Sequence, residues 1–207
     1  MLCLGVKTLA ELKYLRDQGA DSYILKHETS DPDLHSRLRH ESLKVRIACL
    51  GHLLSLGYRV GTGCIVGLPG QTVESIADDI VLAGRLGVHM ASAAPFIPAE
   101  GTPCAFHEQG SLKVTLNAIT AMRLCRADWL IPSVSAMEKI KFGGQALGLI
   151  AGANVVTVNF TPTDRRRRYF IYGRSRYIVG LDHALRILAD AGLRPNVPIV
   201  KKGARID

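Results

Sequence analysis

The stretch GYRVGTGCIVGLPGQTVESIADDIVLAGRLGVHMASAAPFIP, residues 57 to 98, decides the fold. It begins with a run at 59 to 66 too uniformly apolar to leave one face in water, which suits a strand buried on both sides. A tight turn, GLPGQT, follows. Then comes a segment in which Ile76, Ile80 and Ala83 share one helical face, with Thr72 as N-cap and Glu74 and Ser75 in the first turn. Gly87 ends that helix in the left-handed position, and a second apolar run, 88 to 94, starts at once. Strand, helix and strand in such close succession form a βαβ unit, whose strands lie parallel.

Outward from this unit the same alternation repeats. Apolar runs at 1 to 4, 22 to 26, 129 to 134 and 154 to 159 read as further strands, and Leu9, Leu12 and Leu15 fall on one face of a helix between the first two. Helices ending in Gly recur in DQGAD, SLGYR and AGAN. The expected fold class is therefore α/β, a parallel sheet of about six βα units, doubly wound or closed as a barrel, in one domain over residues 1–207 with no linker. A chain of 207 residues with 47% hydrophobic and 21% charged residues is long enough to bury one sizeable core. It lacks both the roughly 18 uninterrupted apolar residues of a membrane helix and a secretory leader pattern, so no membrane is expected and the cytoplasm is the expected location.

In a parallel α/β sheet, chemistry gathers at the C-terminal ends of the strands, where loops from several strands converge. Here Lys26, His27, Glu28, Thr29 and Ser30 follow the second strand, GLPGQT (67 to 72) the third, and PFIPAEGTP (95 to 103) the fourth. Ser133 and Ser135 end the fifth strand, and Asn159 and Thr161 the sixth. Charge at the end of a buried strand marks the rim of a site. The competing reading is that Glu28 and Thr29 cap the turn that follows. GLPGQT lacks the Gly-Lys-Ser/Thr ending of a nucleotide phosphate loop, and a tight turn with the Thr72 cap explains much of it.

Five cysteines, Cys3, Cys49, Cys64, Cys104 and Cys125, lie in no metal-binding spacing, and an odd number opposes a closed disulfide framework. Buried free thiols are expected for most of them, and no metal ligand is assigned. The net charge of +8 owes four positive charges to Arg165 to Arg168, within DRRRRYFIYGRSRY (164 to 177), where Arg and aromatic residues mix as they do in binders of single-stranded nucleic acid. A basic loop after the last strand accounts for the run without nucleic acid.

Five segments in register carry a resemblance: LKHETSDPDLHSRLR, GYRVGTGCIVGLPGQTVESIADDI, APFIPAEGTP, GSLKVTLNAITAMRLCRADWLIPSVSAM and GANVVTVNFTP. Together, from about residue 2 to residue 195, they resemble the HydE-like radical SAM family, the iron-iron hydrogenase maturases related to biotin synthase and methylornithine synthase. The resemblance implies a radical SAM (βα)8 TIM-type barrel of which this chain supplies strands three to eight. It also implies an enzyme of hydrogenase H-cluster maturation type, using S-adenosylmethionine and a 4Fe-4S cluster on a small sulfur-containing or amino-acid-derived substrate. Glu28 and Arg46 look like the residues that hold the amino and carboxylate groups of S-adenosylmethionine. Their chemistry suits that task, an acid for an ammonium and a guanidinium fork for a carboxylate. Lys26, Ser133, Ser135 and Asn159 resemble positions lining the substrate cavity.

The chain also departs from the family. It has no CxxxCxxC loop, so the ligands of the family's cluster are absent from it. Lys26 stands for the family's usual Arg, SVS for a Thr pair, and TVNF where Met-Pro-Asn is frequent. Met1 falls inside what should be the third strand, which leads to the expectation of a fragment, a split gene product or a mis-called start codon, with a missing N-terminal half or hydrogenase maturation partners as its company. Two other functions compete: a non-catalytic binding protein of the same fold, and a nucleic-acid binder using the Arg165 to Arg168 loop.

Overall fold

The computed structural model describes residues 1–166 and 177–196, and for Thr163 and Arg166 the backbone only. In chain order the elements are α1 (Leu9–Asp17), β1 (Ser22–Ile24), α2 (Pro32–Arg39), α3 (Leu43–Ser55), β2 (Arg59–Val66), α4 (Val73–Leu86) and β3 (Met90–Pro95). They continue with α5 (Leu112–Cys125), α6 (Ser135–Ile140), α7 (Gly144–Ile150), α8 (Thr163–Arg166) and α9 (Leu181–Asp190). The three strands form a parallel sheet in the order β1-β2-β3, with Ser22 opposite Arg59 and Gly61 opposite Met90. The βαβ unit of residues 57 to 98 is thus present, and Thr72 caps α4 by accepting from Ser75 N.

The sheet continues on both sides as single parallel bridges. Leu2 joins Tyr23 on one flank; on the other, Leu130 joins Met90 and Val155 joins Pro132. The runs at 1 to 4, 129 to 134 and 154 to 159 therefore keep their expected places but do not form full strands. Two local causes act on the last pair. Pro132 has no N–H to give a ladder. The Asn154 side chain takes two ladder positions itself, accepting from Ile131 N at 2.8 Å and donating to Trp129 O at 3.2 Å.

The two faces of the sheet differ. A Cβ added to Gly61 would meet Ile24 Cγ1 at 3.1 Å and Met90 Cβ at 3.2 Å, and one added to Gly63 would strike Ser92, so Ile24, Gly61, Gly63, Met90 and Ser92 share one face. Val60, Cys64, Ala91 and Ala93 take the other, in a core with Leu50 and Leu53 of α3 and Ile76, Ile80 and Ala83 of α4. The stripe expected on α1 is narrower than its spacing suggested: Leu12 is buried, whereas Leu9 is exposed. Trp129 is enclosed in the same core and donates Nε1–H to Val88 O at 2.9 Å, which satisfies its one polar atom.

Of the cysteines only Cys49 and Cys64 are buried, while Cys3 and Cys125 are exposed and Cys104 is half-buried, so the expectation of mostly buried thiols holds for two. Among the described residues no helix is long and apolar enough to cross a membrane.

Candidate functional site

At the end of β1, alternation divides Lys-His-Glu between two faces. His27 turns to the helix side: its Nδ1 lies 2.9 Å from Thr62 Oγ1 and its Nε2 3.6 Å from Asp79 Oδ1 on α4. Lys26 has the parity of Ile24 and so belongs to the opposite face. Glu28 is held by β2 on both sides, its N–H donating to Gly63 O at 2.9 Å and its carbonyl accepting from Ile65 N at 2.8 Å. Its φ is 68°, a left-handed conformation uncommon for a residue with a long side chain. The Glu28 side chain is half-buried, and no partner of its carboxylate is found among the described residues. The local cap belongs to other residues: Thr29 Oγ1 accepts from Asp31 N at 3.3 Å, and Asp31 caps α2.

Behind Glu28 lies a buried polar network that sequence reasoning did not assemble. Asp79 is fully buried and accepts from Ser30 N and, at 3.3 Å, from Gln71 Nε2. Gln71 Oε1 accepts from Gly67 N at 2.7 Å and Leu68 N at 3.2 Å. Those two N–H groups are therefore engaged, and the GLPGQT turn has its own side chain where a phosphate loop would hold an anion. A signal was present in the sequence, because Asp79 falls inside the apolar stripe of Ile76, Ile80 and Ala83, where a charge needs buried partners. Burial, with the Asp79 carboxylate adding to it, pushes the Cys64 thiol well above the usual range, while the Lys26 charge opposes the rise.

Arg46, in the first turn of α3, is buried and donates Nη1–H to Lys26 O at 2.8 Å, which brings it to the strand end that carries Glu28. Its Nη2 donates to Glu41, and its buried Nε has no hydrogen-bond partner among the described residues. Burial raises the Glu41 carboxyl, but the Arg46 hydrogen bond and the Arg46 and Arg39 charges outweigh it and hold the group below the usual carboxylate range. The partnerless Nε and the open Glu28 carboxylate fit an amino-acid-like ligand; a two-oxygen grip on the Nε and Nη2 edge would compete with Glu41. Glu41 also borders a cavity of about 680 Å³ between α2 and α3, whose walls include Ser36, Lys44 and Ile47 and none of the residues expected in the site.

The other expected residues lie apart from this cluster or are already engaged. Ser133 was expected in a substrate cavity, but its Oγ donates to Gln145 O at 2.7 Å and packs against Gly148 of α7. It has the same parity as buried Ile131 and faces the helix layer. Ser135 is half-buried at the first position of α6. Asn159 uses its side-chain oxygen locally, accepting from Thr161 N at 2.8 Å. Arg165 is exposed and lies 3.7 Å from Asp164, whereas Arg167 and Arg168 fall outside the described residues.

A second buried network, also missed, ties α9 to α7. His183 Nε2 lies 2.8 Å from Gln145 Oε1, and Nδ1 lies 2.7 Å from Tyr177 Oη and 3.0 Å from Arg186 Nη2. Gln145 Nε2 donates to Ser133 O at 2.8 Å, so its oxygen is the acceptor for an Nε2–H of His183. Burial lowers the His183 pKa, Glu138 opposes and Arg186 assists.

Among the described residues no group of three or more His, Cys, Asp or Glu is placed to hold a metal ion. The residues present do not fit an iron-sulfur cluster, and no chemical step is derived through one.

No protein-family model matches the chain. It is 40% identical over 158 residues to the [FeFe] hydrogenase maturase subunit HydE of Thermotoga maritima, covering 76% of this chain and 45% of that protein. To the 3-methylornithine synthase of Methanosarcina acetivorans it is 31% identical, over 80% of this chain and 47% of that one. The chain thus spans about half the length of the curated relatives it matches. Among solved structures, methylornithine synthase (PylB) superposes with a TM-score of 0.75 at 27% identity, covering 93% of this chain and 57% of that one. HydG, a maturase of the [FeFe]-hydrogenase, superposes at 0.69 with 16% identity over 92% and 43%, a likeness of fold alone. By sequence and by fold the chain is similar to radical SAM enzymes of the group that includes HydE, methylornithine synthase and biotin synthase.

Proposed function

We propose that this chain is a HydE-like radical SAM domain whose β1 end and α3 hold the amino-acid end of S-adenosylmethionine. The observation that carries the reading is the pairing of a left-handed Glu28 with an open carboxylate and a buried Arg46 bonded to the carbonyl two residues before it. Glu28 would take the ammonium and Arg46 the carboxylate. Lys26, placed by alternation on the face that carries Gly61, Gly63 and Ser92, would meet a small sulfur-containing or amino-acid-derived substrate. When bound in a full barrel, the cofactor supplies radical chemistry; this chain's residues bind and orient it. Cluster ligands would come from βα units outside this sequence or from a hydrogenase-maturation partner, and six parallel βα units of an eight-unit barrel would form this chain's share.

Equilibrium binding of S-adenosylmethionine tests the assignment. Glu28→Ala and Arg46→Ala each lower affinity about tenfold or more, the loss expected for one charge-assisted contact, while Ser133→Ala leaves it within about twofold. Affinity unchanged by both charge deletions overturns the reading. A second function, a non-catalytic binder of the same fold, is favoured by the scattered cysteines. It is separated by joining the chain to two βα units that carry CxxxCxxC and assaying 5′-deoxyadenosine, whose absence from a cluster-loaded barrel favours the binder.

A further inference from the structure

The conformation of Glu28 needs a cause. An L-residue with a long side chain stays at φ 68° only where its surroundings over-determine it, and the buried carboxylate of Asp79 reaches the chain on both sides of Glu28. On the far side it accepts the Ser30 N–H; on the near side it lies 3.6 Å from His27 Nε2. His27 is in turn fixed by Thr62, whose Oγ1 accepts from His27 N at 3.2 Å and donates to Leu25 O at 3.0 Å. Thr29 N–H closes back on His27 O at 2.9 Å. The second Asp79 oxygen accepts from Gln71 Nε2, which also donates to Ile65 O at 2.9 Å, and Ile65 N–H is the group bonded to Glu28 O. Each of these polar contacts of Asp79 therefore leads within a bond or two to residues flanking or bonded to Glu28.

A fully buried carboxylate is costly, and well-packed apolar residues often serve stability as well or better. Its retention inside the apolar stripe of α4 calls for a geometric task.

We propose that Asp79, acting with His27 and Gln71, is a positioning residue for Glu28: it pins the residues flanking Glu28 so that residue 28 stays left-handed and its carboxylate keeps one direction. The consequence for ligand binding rests on the assignment of Glu28 to the cofactor's ammonium; the conformational claim does not.

The test is a double-mutant comparison. In the native background Glu28→Gly unfolds about 2–4 °C above Glu28→Ala, because only glycine adopts positive φ without strain. In an Asp79→Asn background that gap falls to less than half, since residue 28 is free to relax. A gap that persists unchanged overturns the proposal, and so does the absence of a gap in the native background. Should Asp79→Asn fail to fold, His27→Gln and Gln71→Ala replace it, with the same narrowing expected and the same persistence overturning. A separate titration with S-adenosylmethionine reads the consequence: Asp79→Asn weakens binding about as much as Glu28→Gln, and undiminished affinity overturns that part. A native chain that binds no S-adenosylmethionine removes the Glu28 assignment and leaves the unfolding gap to decide the conformational claim.

Discussion

The two halves of the sheet treat polar residues at strand ends in opposite ways. At the end of β1, polar side chains divide between the faces: His27 and Thr62 join Asp79 in the helix layer, and Lys26 and Glu28 are left on the other side with no side-chain partners among the described residues. At 129 to 134 and 154 to 159 the polar side chains are consumed. Ser133, Gln145 and His183 bond to one another and to the backbone, and Asn154 and Asn159 replace ladder or turn bonds. A polar residue at a strand end thus marks a site only when another residue satisfies the backbone around it. Full ladders through β1, β2 and β3 do so in the first half, whereas in the second half Pro132 interrupts the ladder and side chains fill in.

The sharpest way to break this contrast is to remove the buried charge from the first half. Asp79→Ala leaves Ser30 N–H without its acceptor, removes one from Gln71 Nε2 and takes away the carboxylate beside His27, and a loss of about 3–5 kcal/mol is expected in urea unfolding. A loss below about 1 kcal/mol would place the first half on the same footing as a surface cluster. In the second half, Gln145→Ala strands Ser133 O and His183 Nε2, and the same measurement should record about 2–3 kcal/mol. Both variants remove buried partners, so the comparison holds only if the charged case costs more.

A pH series sharpens the second half further. Burial lowers the folded pKa of His183, assisted by Arg186 and opposed by Glu138 and Asp190, so the folded state favours the neutral ring. Its stabilising contribution is complete above the unfolded pKa of about 6.5 and is lost as pH falls through the folded value. Unfolding free energy measured downward from pH 7 should decline, and His183→Gln should flatten part of that decline; an unchanged slope would show the ring is not held neutral. Tyr177 and Gln145 also face the ring. The smallest effect belongs to Asn159→Ala, which removes one side-chain bond to Thr161 N–H and should cost about 0.5–1 kcal/mol. S-adenosylmethionine affinity that also fell about tenfold in this variant would restore Asn159 to the site.

The sequence by itself determined the alternation of strands and helices. The periods of Val60 to Val66 and of Ile76, Ile80 and Ala83 are local, and the glycines after α1, α3, α4 and α7 adopt the positive φ their positions demanded. It also carried the family, because five ordered segments constrain a match more tightly than any one motif does. Tertiary structure alone decided which strand-end residues stay open. Lys26 and Ser133 look alike as polar ends of apolar runs, yet alternation sends one to the Gly-lined face and the other against α7. His27 and Ser30 reach Asp79, and Gln145 reaches His183, from segments dozens of residues away, and no short pattern records them. The physical reason is that period fixes how a segment buries one face, while the destination of a buried polar group depends on which distant backbone lacks a partner.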